Sequence, residues 1–151
     1  MKSILILGVG NRILGDDGIG SIIAERFEKY SNDFIDIIDV GTSLYKFLSS
    51  LTLEDELPRE IIIIDIMEGK NPGNIHFLEL RNINKGFMSS HLFPDNSLLD
   101  DISKRGVKIK FLLCEIGKYE KFFSDKLSEN GNLCIKKLED FIINYIKSIK
   151  S

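Results

Sequence analysis

The densest chemistry in the chain lies in Gly8–Gly20, GVGNRILGDDGIG, where the adjacent carboxylates Asp16 and Asp17 sit in a glycine-rich stretch. Another acid, Asp65, follows directly on the run Ile61-Ile62-Ile63-Ile64. A carboxylate there is costly to desolvate unless something compensates it, so its position points to function. His91 completes the candidate set. Carboxylate oxygen and imidazole nitrogen are competent ligands for zinc or nickel. Three protein ligands, Asp17, Asp65 and His91, would leave coordination positions open for substrate or water. One of Asp16 and Asp17 is expected to cap a helix, where a carboxylate accepts backbone N–H bonds and meets the positive end of the dipole. A cap needs only one of them.

The inventory supports a carboxylate-rich site by elimination. The 151 residues include two His and two Cys, too few for a three-histidine or a four-thiolate zinc centre. Hydrophobic residues make up 43% and charged residues 28%, a globular balance suited to one domain spanning residues 1–151. Twenty Lys and Arg against 23 Asp and Glu give a net charge of −3, so no net basic field favours nucleic acid. The apolar run Ile4–Leu7 stops at Gly8, short of a secretory core of about 7–15 residues. No stretch approaches the roughly 18 apolar residues of a membrane span. The chain therefore reads as cytoplasmic, and Cys114 and Cys134 are expected to form no disulfide framework.

Alternating strands and helices must position these side chains. Ser3–Leu7, Phe34–Val40, Ile61–Asp65, Ile75–Leu80 and Val107–Leu113 read as strands. The third is uniformly β-branched before its acid, as expected of a strand buried on both faces. The short Asn71-Pro72-Gly73 turn predicts that the fourth runs antiparallel. Helical periodicity appears over Ile19–Tyr30, Ser43–Leu53 and from Pro94-Asp95 to about Lys104. A terminal helix is expected after a break at Gly131-Asn132, with Cys134, Leu138, Phe141, Tyr145 and Ile149 on one face. The predicted fold is α/β, a three-layer sandwich. Its five-stranded, mostly parallel sheet has one antiparallel strand and helices on both faces. Ligands bind such sheets beyond the carboxyl ends of the strands, where strand order reverses. A 2-1-3 order would make Gly8–Gly20 and Asp65 neighbours at that point.

Other constellations compete. Gly8-Val9-Gly10 after a strand supplies the first two glycines of a dinucleotide fingerprint, and Asp39 stands where a ribose-binding acid would. The third glycine position is Ile13, however, and two carboxylates at a phosphate site would repel the ligand. A nucleotide-binding oxidoreductase is thus the weaker alternative. His76 alternates within the fourth strand and reads as structural, Cys134 reads as core, and Cys114 ends the fifth strand without a histidine near it in sequence. Ser89-Ser90 lacks a nucleophile elbow, since the chain has no G-x-S-x-G.

The opening ILILGVGNRILGDDGIGSIIAERF closely resembles that of the nickel–iron hydrogenase maturation proteases. So do Asp39-Val40-Gly41-Thr42, the segment IIIIDIMEGKNPGNI around Asp65 and SSHLFP around His91, in the same order and spacing. The likeness runs from about Ser3 to Leu113. It implies an endopeptidase that removes a C-terminal extension from the hydrogenase large-subunit precursor once nickel has been inserted. The family's metal-binding positions correspond to Asp17, Asp65 and His91, and Asp16 beside them would orient a ligand or a water. The nickel would arrive in the precursor, and zinc or another divalent ion would stand in for it in vitro. The implied partner is that precursor, with no nucleic acid and no membrane span. Two segments depart from the pattern. Val40-Gly41-Thr42 replaces the frequent Gly-Gly-Thr, and Cys114-Glu115-Ile116-Gly117 replaces a frequent Gln-Pro after the fifth strand. The second departure leaves room for a non-cleaving chaperone that senses nickel insertion.

Overall fold

Strand alternation explains the architecture. Leu5, Leu7, Ile61, Ile63 and Phe111 bury on one side of a sheet, and Ile6, Ile62, Ile64 and Leu112 on the other. Both faces are thus apolar, which is why the third strand is a continuous isoleucine run. The structure is a computed structural model that describes residues 3–83, 97–118 and 122–150. Its elements are β1 (Ile4–Val9), α1 (Ile19–Phe27), β2 (Ile35–Gly41), α2 (Leu44–Leu51), β3 (Glu60–Met67), β4 (Ile75–Glu79), α3 (Ser97–Lys104), β5 (Lys108–Glu115) and α4 (Glu129–Lys150). Short 3-10 turns cover Gly15–Gly18, Glu28–Tyr30 and Leu80–Asn82.

The strand order is β2-β1-β3-β5-β4. β1 pairs in parallel with β2 and β3, β3 in parallel with β5, and β4 antiparallel with β5. Helices α1 and α4 cover one face, α2 and α3 the other. The expected three-layer sandwich with one antiparallel strand is therefore the fold. The 2-1-3 order that would make Gly8–Gly20 and Asp65 neighbours is present, and the order reverses between β1 and β3.

The turn at Asn71-Pro72-Gly73 does make β4 antiparallel, but against β5 and not against β3. The loop passes the carboxyl end of β5, where Gly73 N–H donates to the Glu115 carbonyl at 2.8 Å and Glu115 N–H to the Asn74 carbonyl at 3.0 Å. Gly73 has φ +92°, a conformation that suits glycine. β5 runs on to Glu115, beyond the expected Leu113, because its register with β3 continues through Met67↔Glu115.

Two expectations need correction at α4. Gly131-Asn132 lies inside the helix. Ser128 caps it, its Oγ accepting the Gly131 N–H at 3.0 Å, which is the Ncap-to-N3 bond. The glycine there serves packing, since a Cβ at Gly131 would stand 2.1 Å from Asp16 Oδ1. The cysteines form a disulfide, Cys114–Cys134, across 20 residues of sequence. The end of β5 and the second turn of α4 meet in the core with Cα atoms 5.8 Å apart, and both residues are fully buried. Closing a loop of this length stabilises by about 3 kcal/mol in the chain-entropy account. Urea unfolding with and without a phosphine reductant should differ by that amount, and superimposable curves would show that the crosslink adds nothing.

The buried stripe of α4 is also rotated slightly from the expected one. Cys134, Ile135, Leu138, Ile142 and Ile146 are buried, while Phe141, Tyr145 and Ile149 flank them. Phe141 and Tyr145 meet Phe77 of β4 edge-on, with ring centroids at 5.0 and 5.9 Å.

Candidate functional site at the carboxyl edge of the sheet

Buried polarity is concentrated where strand order reverses. Among the described residues, the buried polar or charged side chains are Asp17, Ser21, Asp65 and Glu115. Asp65 lies two residues before the end of β3 and Glu115 ends β5, while Asp17 and Ser21 lie in the turn and helix that follow β1. Charge withdrawn from water is expensive unless it is compensated, so its collection at one edge marks that edge as the site.

The glycines of the first motif make this crowding sterically feasible. A Cβ at Gly20 would lie 2.3 Å from the carbonyl oxygens of both Ile64 and Val9, and one at Gly8 would lie 2.2 Å from the Gly20 oxygen. The first turn of α1 thus rests directly on the backbones of β1 and β3. Further along the loop, a Cβ at Gly10 would lie 2.5 Å from the Asp17 oxygen, and Asn11 N–H donates to that oxygen at 3.1 Å. The loop folds back so that Asp17, 1% exposed, is held against the end of β1. Asp65, with no exposed surface, follows Ile64 near the carboxyl end of the neighbouring strand β3. Its Oδ1 accepts the Ile66 N–H at 2.8 Å. By strand alternation Asp65 shares the α2/α3 face with Ile61, Ile63 and Met67.

The expected third ligand, His91, lies outside the described residues, as do Ser89 and Ser90. The segment 84–96 that carries it joins the 3-10 turn after β4 to α3. Among the described residues no group of three or more His, Cys, Asp or Glu is arranged to hold a metal. The carboxylates of Asp17 and Asp65 are oxygen donors of the kind nickel or zinc accepts alongside imidazole.

Asp16 and Asp17 divide their roles. Asp16 Oδ1 accepts the Ser128 N–H at 2.9 Å, and Oδ2 accepts the Ser128 hydroxyl at 2.5 Å. Asp16 therefore braces the cap of α4, close to the positive end of that helix. Its carboxylate acts on the site through the position it gives the Gly15–Gly18 turn. Sequence reading missed Ser128, although a serine three residues before Gly131 is an available cap signal.

A second brace holds the same loop from the other side. Arg12 donates from Nε to Ser21 Oγ at 2.9 Å and from Nη2 to Asp39 Oδ2 at 3.1 Å, and it pairs with Glu25. Asp39 Oδ1 accepts the Ser21 hydroxyl at 2.7 Å and the Gly41 N–H at 2.9 Å. Arg12, Glu25 and Asp39 are partly exposed, so their ion pairs contribute more geometry than stability. Asp39 is thereby committed, and Gly10 and Gly18 pack on Asp17 and Arg12 where a pyrophosphate would need open N–H groups. The features that suggested a dinucleotide have structural employment.

Glu115 was not anticipated. It is 7% exposed, its Oε2 lies 3.5 Å from His76 Nε2, and Gly69 packs on its carboxylate. His76, read as structural, thus pairs with a buried acid at the same edge. At the opposite edge, burial and then the Glu60 carboxylate raise the Tyr145 phenol above its usual range. Glu60 begins β3, five residues from Asp65.

The family model for hydrogenase maturation proteases matches residues 21–145. The chain belongs to the hydrogenase maturation protease family. A Methanocaldococcus jannaschii protein with a provisional hydrogenase maturation protease name is 33% identical over 153 residues, 97% of each chain. The hydrogenase 3 maturation protease of Escherichia coli K12 is 29% identical over 110 residues, covering 72% of this chain and 69% of its own. The architecture is shared with the hydrogenase maturating endopeptidase HybD from Escherichia coli. That structure superposes with a TM-score of 0.74 at 24% identity, over 98% of this chain and 93% of that one. Among the described residues, no helix of this hydrogenase maturation protease family member is long and apolar enough to cross a membrane.

Proposed function

We propose that this chain is a cytoplasmic processing endopeptidase that removes the C-terminal extension of a nickel–iron hydrogenase large-subunit precursor after nickel insertion. The reading is carried by two buried carboxylates, Asp17 and Asp65, at the carboxyl ends of adjacent strands in a member of this family. With His91 from the 84–96 segment, they supply the oxygen and nitrogen donors that would grip the nickel presented by the precursor. Held there, the ion would locate the scissile bond and would supply polarisation of its carbonyl or of an attacking water. Zinc or another divalent ion takes its place in vitro. Asp16 and Arg12 hold the loop that presents Asp17, through Ser128 on one side and Ser21 and Asp39 on the other.

The test mixes the purified chain with nickel-loaded and nickel-free precursor and follows the loss of the extension by mass. Cleavage is expected only of the loaded form. Equal cleavage of both forms would remove nickel recognition from the mechanism, and binding without any cleavage would make the chain an assembly chaperone.

A further inference from the structure

Beside the Asp16–Asp17 turn lies an open groove of about 400 Å³, walled by that turn, the segment after β5 and the start of α4. Its apolar lining includes Leu14, Ile116, Phe122 and Leu127, and its cations are Lys118 and Lys126. Asp16 is the acid in the lining, and its carboxylate is committed to Ser128. Among the described residues, neither Lys118 nor Lys126 forms an ion pair. The described lining is therefore apolar and carries two lysines against one carboxylate, a net positive charge.

Its wall is tied to the candidate site by backbone. Gly15 N–H donates to the Ser124 carbonyl at 2.8 Å and Ser124 N–H to the Ile13 carbonyl at 2.9 Å. Three large apolar side chains crowd this bridge in contact with solvent, with Ile13 59%, Phe122 63% and Phe123 82% exposed. Apolar side chains gathered on a soluble surface beside a cleft mark a place where another chain sits.

We infer that this groove is a specificity subsite, which receives the precursor segment next to the scissile bond and selects an apolar residue accompanied by an acidic side chain. The inference rests on the proposed endopeptidase function. Continuity with the Asp17 turn sets the register. Asp16, which lines the groove, is the chain neighbour of Asp17, so a segment seated there runs alongside the turn that carries Asp17. That proximity favours a side-chain carboxylate near the cut over the α-carboxylate at the far end of the extension. Lys118 and Lys126 meet the carboxylate, while Phe122 and Leu127 cover the apolar residue.

Two measurements test this. In the first, the Lys118→Glu/Lys126→Glu double variant and Phe122→Ser, all at exposed positions, are assayed on nickel-loaded precursor. KM should rise at least tenfold with kcat within about twofold, and the wild-type KM should climb with salt where that of the double variant does not. An unchanged KM in an active enzyme overturns the subsite. In the second, a fluorescent peptide spanning the cleavage junction is titrated by polarisation, which requires no cleavage. Replacing its acidic side chains by amides should weaken binding at least tenfold, whereas amidating its C-terminus should not. A peptide that fails to bind, or that responds only to C-terminal amidation, overturns the proposal. Peptide binding with the expected charge dependence, but no cleavage of the precursor, would leave the subsite standing and remove the endopeptidase reading.

Discussion

The Asp65→Asn variant is expected to fold as well as the parent protein and to lose roughly a thousandfold in cleavage of nickel-loaded precursor. Asparagine keeps nearly the same volume, and its amide oxygen can still accept the Ile66 N–H that Asp65 Oδ1 accepts at 2.8 Å. The near-isosteric amide keeps that acceptor while removing a charge whose burial is costly in itself. On the proposed mechanism, what the variant loses is the contact to the precursor's nickel. Polarisation by a bound ion contributes several kcal/mol to the transition state, and each 1.36 kcal/mol is a factor of ten in rate. Urea titration and cleavage kinetics on one preparation separate the two effects. An Asn variant that cuts at near parental rate would show that Asp65 is only a strand-end residue. Asp17→Asn should behave in the same way.

Asp16→Ala separates these carboxylates further. Its two bonds to Ser128 are structural, so the variant should lose stability of about 1–2 kcal/mol, as expected for hydrogen bonds to a charged group at a helix cap. Cleavage should fall far less than for Asp17→Asn, since Asp16 reaches the site through backbone position. Adjacent acids of one type thus differ in role because one turns to a helix cap and the other is buried against the end of a strand.

Much of this was legible in sequence, for identifiable reasons. The isoleucine run announced a strand covered on both faces, and the short Asn71-Pro72-Gly73 turn announced that the fourth strand runs antiparallel. Both signals are local. What was not legible depends on contacts across long separations. The pairing of β4 with β5 rather than β3, the Cys114–Cys134 crosslink and the burial of Glu115 beside His76 all arise where distant segments meet at one edge. Gly131 illustrates the confusion best. A glycine read as a helix break is a site of close approach, its missing Cβ leaving room for a carboxylate 115 residues earlier in the chain, which is the separation of Asp16 and Gly131. The same motif glycines that suggested a phosphate cradle are there to let backbones touch.

That reading of the glycines makes its own prediction, with Gly20→Ala as the test. In a helix, alanine is favoured over glycine by about 1 kcal/mol, so propensity alone predicts a stabilised protein. Packing predicts the opposite. The new Cβ would sit 2.3 Å from two carbonyl oxygens, those of Val9 and Ile64, and 3.0 Å from Val9 N. All three atoms are backbone in the central strands β1 and β3, and none can yield as a flexible side chain would. Relieving the overlap requires α1 to move off the sheet, opening the contact between Ile19, Ile23 and the core side chains Ile6 and Ile64. Overpacking typically costs about 1–3 kcal/mol, and a clash with two rigid backbone oxygens belongs at the top of that range, which outweighs the propensity gain. The expected result is a net loss of up to about 2 kcal/mol in urea unfolding. Cleavage should fall beyond what the unfolded fraction explains, because the same shift carries Asp17 away from Asp65. A Gly20→Ala protein of raised stability and full activity would mean that α1 does not rest on these backbones, and the geometry of the carboxyl edge would have to be redrawn.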